Sequence, residues 1–246
     1  MPDEPRLEEQ ALSKAVEIGL SSQLDEAEKI NVDINTDLFK IVQGQVDGVS
    51  VTGEGLVMQK DIRVQELELQ TDKVDINPLS ALFGEIKLNS AVNAAARIVL
   101  KEADINRALS SEYVLRKMPK FDLNVDGEIV SFEPQQIEMF LPGDGLVKCN
   151  GTVLLHEMGN IRQVSFTALI RPRTQHHPTM LQGFVCTDGD GFSLDLVAAF
   201  MKKIKELLHS PYFELEDMAL RVREMQVGEG ELTLLADAHV RQIPSV

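Results

Sequence analysis

Four stretches of this sequence carry side chains of types that do chemistry. His156-Glu157-Met158-Gly159-Asn160 has the opening His-Glu of a zinc-protease helix. That motif needs a second His four residues after the first, where this chain has Asn160. The segment also sits at a turn between two alternating runs, so no metal is predicted there. Asp188-Gly189-Asp190-Gly191 is similar to the start of a calcium loop. Counted from Asp188, such a loop requires Gly sixth and Glu twelfth, and those positions hold Ser193 and Ala199. A turn leading into a helix is the expected structure. Cys149 and Cys186 lie in apolar strand-like runs and read as reduced core thiols, not a disulfide. The fourth stretch, Arg171-Pro172-Arg173-Thr174-Gln175-His176-His177-Pro178, is basic. It offers Arg171, Arg173, His176 and His177 to a phosphate or other anionic group; the alternative is a solvated polar loop. No phosphate-cradling P-loop, GxSxG elbow or GxGxxG fingerprint occurs. The sequence therefore predicts no catalytic residue, no metal ligand and no cofactor, and the five His residues fall into no triad by spacing.

Charge narrows the partners. The formal net charge of -15 repels a phosphate backbone, which argues against nucleic acid. It equally opposes broad adhesion to anionic bilayers, so any membrane contact, expected to be transient, would have to be local or apolar. The start, Met1 to Arg6, is followed by no apolar signal region, and no run of about 18 apolar residues occurs. The expectation is a cytoplasmic protein, peripheral where it touches a membrane, forming one domain over residues 1–246 with a flexible start at 1–5. With no Trp, 2 Tyr and 10 Phe, its core must be mostly aliphatic. Methionine helps such an interior fit irregular apolar contents.

Periodicity predicts the elements that would position these side chains. Leu7, Ala11, Leu12, Ala15, Val16 and Leu20 recur at helical steps over Leu7–Leu20. Helices are also predicted over Glu102–Lys117, stopped by Pro119, and over Phe192–His209, stopped by Pro211. Strand alternation is clearest from Ile86 to Leu100, which would run roughly 45–50 Å at ~3.3 Å per residue. Further strands are expected at Phe121–Phe132, Gln136–Leu141, Leu146–His156, Ile161–Arg171, Met180–Thr187, Met218–Val227 and Leu232–Val240. Pro142-Gly143-Asp144-Gly145 and Met158-Gly159-Asn160 read as turns. A short repeat, Val32-Asp33-Ile34-Asn35 and Val74-Asp75-Ile76-Asn77, predicts two similar corners of one sheet. Two runs change phase: Ile62 and Val64 are even but Leu67 and Leu69 odd, and Leu220 and Val222 even but Met225 and Val227 odd. Either a bulge bends each strand, or each run is two short strands.

The expected fold class is α+β: a long, strongly curved antiparallel sheet wrapping amphipathic helices. If the helices leave the trough incompletely filled, an elongated apolar channel results; otherwise the core is solid. For the channel, the candidate lining is Leu12, Val16 and Leu20 from the first helix, Val92, Ala94, Ala96 and Ile98 from the long strand, and Leu194, Val197, Phe200, Met201 and Ile204 from the last helix. Small strand residues leave room for a hydrocarbon, or let a helix approach closely.

The order of segments resembles the LmeA-type phospholipid-binding family of bacteria. The residues that carry it are Val49-Ser50-Val51-Thr52-Gly53-Glu54-Gly55, Val74-Asp75-Ile76-Asn77-Pro78-Leu79, and Val99-Leu100-Lys101-Glu102-Ala103-Asp104-Ile105-Asn106 followed by Ala108-Leu109-Ser110-Ser111. The closing strand with Leu232, Leu234, Ala236 and Ala238, then Ile243-Pro244, also fits. These motifs are structural, not chemical. The family is similar to the tubular lipid-binding (TULIP) superfamily, in which a curved sheet wraps a long helix. The resemblance implies non-catalytic binding or transfer of phospholipid; the basic stretch, read from its own residues, is the candidate headgroup contact. Family members carry an export or anchor segment, and this sequence departs from them in showing neither. The competing reading is a scaffold or protein-interaction domain with a filled core and no ligand.

Overall fold

The computed structural model describes residues 7–22, 24–36, 39–40, 43–75, 88–118, 120–157, 159–188, 193–209, 213–215 and 218–241. The fold is α+β: the described residues are mostly antiparallel strand, with a curved sheet and a few helices. Strand content far above the ~20–25% of an ordinary domain means that sheet faces supply most of the apolar surface to be buried.

The chain divides into two compact units. The first comprises Met1–Val99, Pro211–Arg223 and Leu234–Val246; the second comprises Leu100–Ser210 and Glu224–Thr233. Helix α1 (Leu7–Ser21) opens the first unit. It is followed by β1 (Lys29–Asn35), β2 (Gln45–Val46), β3 (Gly48–Met58), β4 (Ile62–Thr71), β5 (Val74–Asp75) and β6 (Val92–Lys101). The second unit holds α2 (Glu102–Ser110), α3 (Glu112–Lys117), β7 (Phe121–Val125), β8 (Glu128–Gly143), β9 (Leu146–Glu157), β10 (Asn160–Arg171), β11 (Met180–Asp188) and α4 (Leu194–His209). The last strands are β12 (Phe213–Leu215), β13 (Met218–Gly228) and β14 (Glu231–Val240). The described strands pair in the orders β1-β3-β4-β6-β14-β13-β12, β11-β10-β9-β8-β7 and β2-β5.

Several boundaries differ from the periodicity. The strand expected from Ile86 begins only at Val92, because Asn89 and Ser90 bend the chain; residues 86–87 lie outside the described residues. At ten residues, β6 spans roughly 33 Å. The helix expected over Glu102–Lys117 is two. Ser111 is extended (φ -70°, ψ 148°) and its Oγ accepts the Val114 N–H, so it caps α3 where a continuous helix would have no use for it. The single run Phe121–Phe132 is a hairpin, turned by Asp126 (φ 51°) and Gly127 (φ 91°). Both central residues at positive φ match the right-handed strand twist. Asp144 and Gly145 (φ 55° and 68°) make the predicted β8–β9 turn in the same way. Prolines 119 and 211, residues 189–192 and the Ile243-Pro244 end lie outside the described residues, as do residues 1–5, where a flexible start is expected, and the second repeat copy beyond Asp75.

The phase change in β4 leaves one continuous strand, not two. It faces Gly55 of β3, at φ 59°, and the pairing keeps its register on either side, Glu54↔Glu66 and Leu56↔Val64. Rotation at that glycine turns Leu56 onto the face of Gly53, whose missing side chain leaves the space that Leu56 fills.

Candidate functional site

In the first unit, cross-strand register builds an apolar face residue by residue. Val32 stands opposite Val51, Val51 opposite Leu69 and Leu69 opposite Ala96. A second row runs Ile30, Gly53, Leu67 and Ile98. Because side chains alternate along each strand, the intervening positions carry the charges to the other face. There Arg97 Nη1 meets Glu66 at 3.1 Å and Glu68 at 3.2 Å. The contacts Asn93–His239 and Lys101–Glu231 set β14 against β6, which places Ala236 beside Ala96 and Ala238 beside Ala94. The apolar face thus grades from branched aliphatics at β1 to a field of alanines at β6 and β14.

The proposed lining residues divide between the units. Val16 and Leu20 of α1 pack against the cluster of Val32, Ile34 and Val46. Val92, Ala94 and Ala96 are buried, and Ile98 is half-buried. The side chain of Leu12 lies outside the described residues. In the second unit, Phe200 of α4 is buried among rings, with Phe132 stacked at 4.9 Å and Phe166 edge-on at 6.1 Å. Val197 and Met201 are half-buried, and Leu194, at the first turn, is 88% exposed. Ile204 lies outside the described side chains. Leu196, 1% exposed, is a core residue of α4 that the helical stripe did not pick out. Its backbone N–H donates to Ser193 Oγ, which starts the helix.

The basic stretch connects β10 to β11, as expected. Arg171 and both histidines are exposed and Arg173 is half-buried. Thr174 Oγ1 accepts the backbone N–H groups of His176 and His177, at 3.4 and 3.1 Å. With the Gln182 amide oxygen turned toward it, Arg171 donates from Nε at 2.8 Å. Of the metal-like segments, His156 Nε2 lies 2.9 Å from Glu133 Oε2. Among the described residues, no group of three or more His, Cys, Asp or Glu is placed to hold a metal. Cys149 and Cys186 are free, and burial pushes the Cys149 thiol up to about 11, so it stays protonated at neutral pH. No described helix is long and apolar enough to cross a membrane.

One comparison bears on the ligand class. The profile of the LmeA-like phospholipid-binding family matches residues 4–237, nearly the whole chain. The chain belongs to the LmeA-like phospholipid-binding family. No curated protein and no solved structure matches it. For this LmeA-like chain, phospholipid is thus the ligand class that the family indicates. Among the described motif residues, Gly53 and Gly55 shape β3, and Glu102 and Asn106 bind the backbone of β8.

Proposed function

We propose that this chain binds phospholipid, or a similar apolar ligand, by laying acyl chains on the apolar face of its first unit, and that it does not transform the ligand. The carrying observation is the continuous row Val32, Val51, Leu69 and Ala96, with Ala94, Ala236 and Ala238 beside it. Alanines there leave depth for a hydrocarbon, and each buried methylene contributes about 0.8 kcal/mol. Val16, Leu20, Val92 and Ile98 complete the proposed lining. The family description, which names binding, supports a non-catalytic role. Exchange of lipid with a bilayer would make membrane contact transient, and two free cysteines fit a reducing, cytoplasmic setting.

Native mass spectrometry after mild purification tests this. Co-bound phospholipid is expected with the wild type. Ala96→Leu and the less intrusive Ile98→Gln should lower occupancy about tenfold, or ~1.4 kcal/mol, while the fold survives by circular dichroism. Wild-type protein that is recovered empty, and that takes up nothing from phosphatidylcholine vesicles, would refute the proposal. The scaffold reading draws its support from the second unit, where Phe121, Phe132, Phe166, Phe184 and Phe200 fill the space between α4 and its sheet. A defined stoichiometric protein partner, recovered with no lipid, would favour it.

A further inference from the structure

The first unit holds a cleft of about 680 Å³, lined mainly by polar side chains but also by Ala94 and Ala238. Arg221, Arg241 and His239 line it together with Asn93, Asp72 and Asp237. The ion pair Arg223 Nε–Asp237 Oδ1, at 3.1 Å, and the antiparallel register of β13 and β14 put Arg221 beside His239 and Ala219 beside Arg241. Ala95 and Ala219, with small side chains, leave the floor open.

Four described arginines, Arg171, Arg173, Arg221 and Arg241, make no ion pair among the described residues, and two of them meet in this cleft. Arg63, Arg97, Arg107, Arg116, Arg162 and Arg223 each hold a carboxylate. Arg221 and Arg241 make no ion pair among the described residues, and both are exposed to the cleft's solvent. Of the two carboxylates in the lining, Asp237 is already engaged by Arg223. His239 Nδ1 is held 2.8 Å from Asn93 Oδ1, which fixes the ring and leaves Nε2 as its remaining polar atom. In a protein of net charge -15, two uncommitted guanidiniums beside a fixed imidazole form a local site for an anion. Guanidinium geometry matches the paired oxygens of phosphate.

We propose that this cleft binds a phosphate group, as a free phosphate ester or as a lipid headgroup. Its lining also takes in Ala94 and Ala238 of the acyl face, so the soluble-ester arm of the test is read apart from acyl binding. The test uses the full chain. Calorimetric titration with inorganic phosphate and glycerol 3-phosphate reads the free source. Sedimentation with phosphatidylcholine vesicles, with and without phosphatidic acid, reads the lipid source. Saturable binding is expected, weakened at least tenfold in Arg221→Gln/Arg241→Gln and unchanged in Arg116→Gln. Binding of the soluble esters alone assigns the site to free phosphate. Binding of phosphatidic-acid vesicles alone, lost in the double variant, assigns it to headgroups. If the double variant does not fold, Arg221→Gln by itself should weaken binding about threefold. No saturable binding of any probe, or binding that the arginine variants retain in full, overturns the proposal.

Discussion

At Glu133, one carboxylate meets a lysine and a histidine. Lys120 Nζ stands 2.7 Å away and His156 Nε2 2.9 Å away, both at Oε2. The Lys120 hydrogen bond, then that of His156, holds the carboxyl below its ordinary value of 4.5, against a smaller opposing effect of burial. A depressed carboxylate contributes stability that is present above its unfolded value and lost as pH falls through its folded one. The contribution is therefore full above pH 4.5 and fades below it. Because the cluster is solvated, salt screens it. Lys120→Met should move the Glu133 titration up toward its ordinary value, and His156→Gln should move it less. Carbon-detected NMR of the side-chain carboxyl reads this, and an unmoved titration in Lys120→Met would show the ion pair to be absent in solution. In the same geometry His156 turns to Glu133, and Glu157 accepts from Arg162 Nε at 2.9 Å.

Among the elements, β8 has the most to solve. It runs sixteen residues, yet β7 pairs with only its first part, Glu128 to Phe132. Further along, α2 takes over. Asn106 Nδ2 donates to the Met139 carbonyl at 2.7 Å, and its Oδ1 accepts the Met139 N–H at 2.7 Å. One turn earlier, Glu102 Oε2 accepts the Leu141 N–H at 2.6 Å. A side-chain amide thus does what a neighbouring strand would do, and the strand edge is closed to foreign strands. Asn106→Ala should cost about 2 kcal/mol, since half-buried backbone groups lose their partners; urea unfolding measures it, and an unchanged midpoint would contradict the edge-capping role. A second device joins β9 to β10. Gly151 pairs with Phe166, and a methyl group at position 151 would overlap the Phe166 ring. Gly151→Ala should destabilise by ~1–3 kcal/mol through overpacking. Combined with Phe166→Leu, the loss should fall short of the sum, because the two sites share one volume. Simple additivity in the double-mutant cycle would show that the ring does not rest on the glycine.

Across the whole molecule, the division between grease and charge is made strand by strand. Alternation made the apolar sides of β1, β6 and β14 readable in advance, since period two is a property of neighbouring residues. The Pro142-Gly143-Asp144-Gly145 turn was readable for the same reason: two residues at positive φ favour Asp and Gly locally. Ser111 misled, because its value as a cap shows only once the chain bends there. The proposed lining residues come partly from α1 and partly from α4, which belong to different compact units, and no periodicity reveals that. Arg221 and Arg241 escaped notice altogether, being two cations on separate strands with ordinary neighbours.

The amino-acid order by itself determined the α+β class, the strand alternation, the hairpin between β8 and β9 and the family membership. Each depends on short-range backbone preference or on a pattern spread along the whole chain. Only the tertiary structure decided which strands lie side by side, and with them the alanine field, the Asn106 edge cap and the arginine-lined cleft. Those arise from residues as much as 146 positions apart, such as Asn93 and His239, and the choice among long-range pairings is made by the packing of the entire sheet.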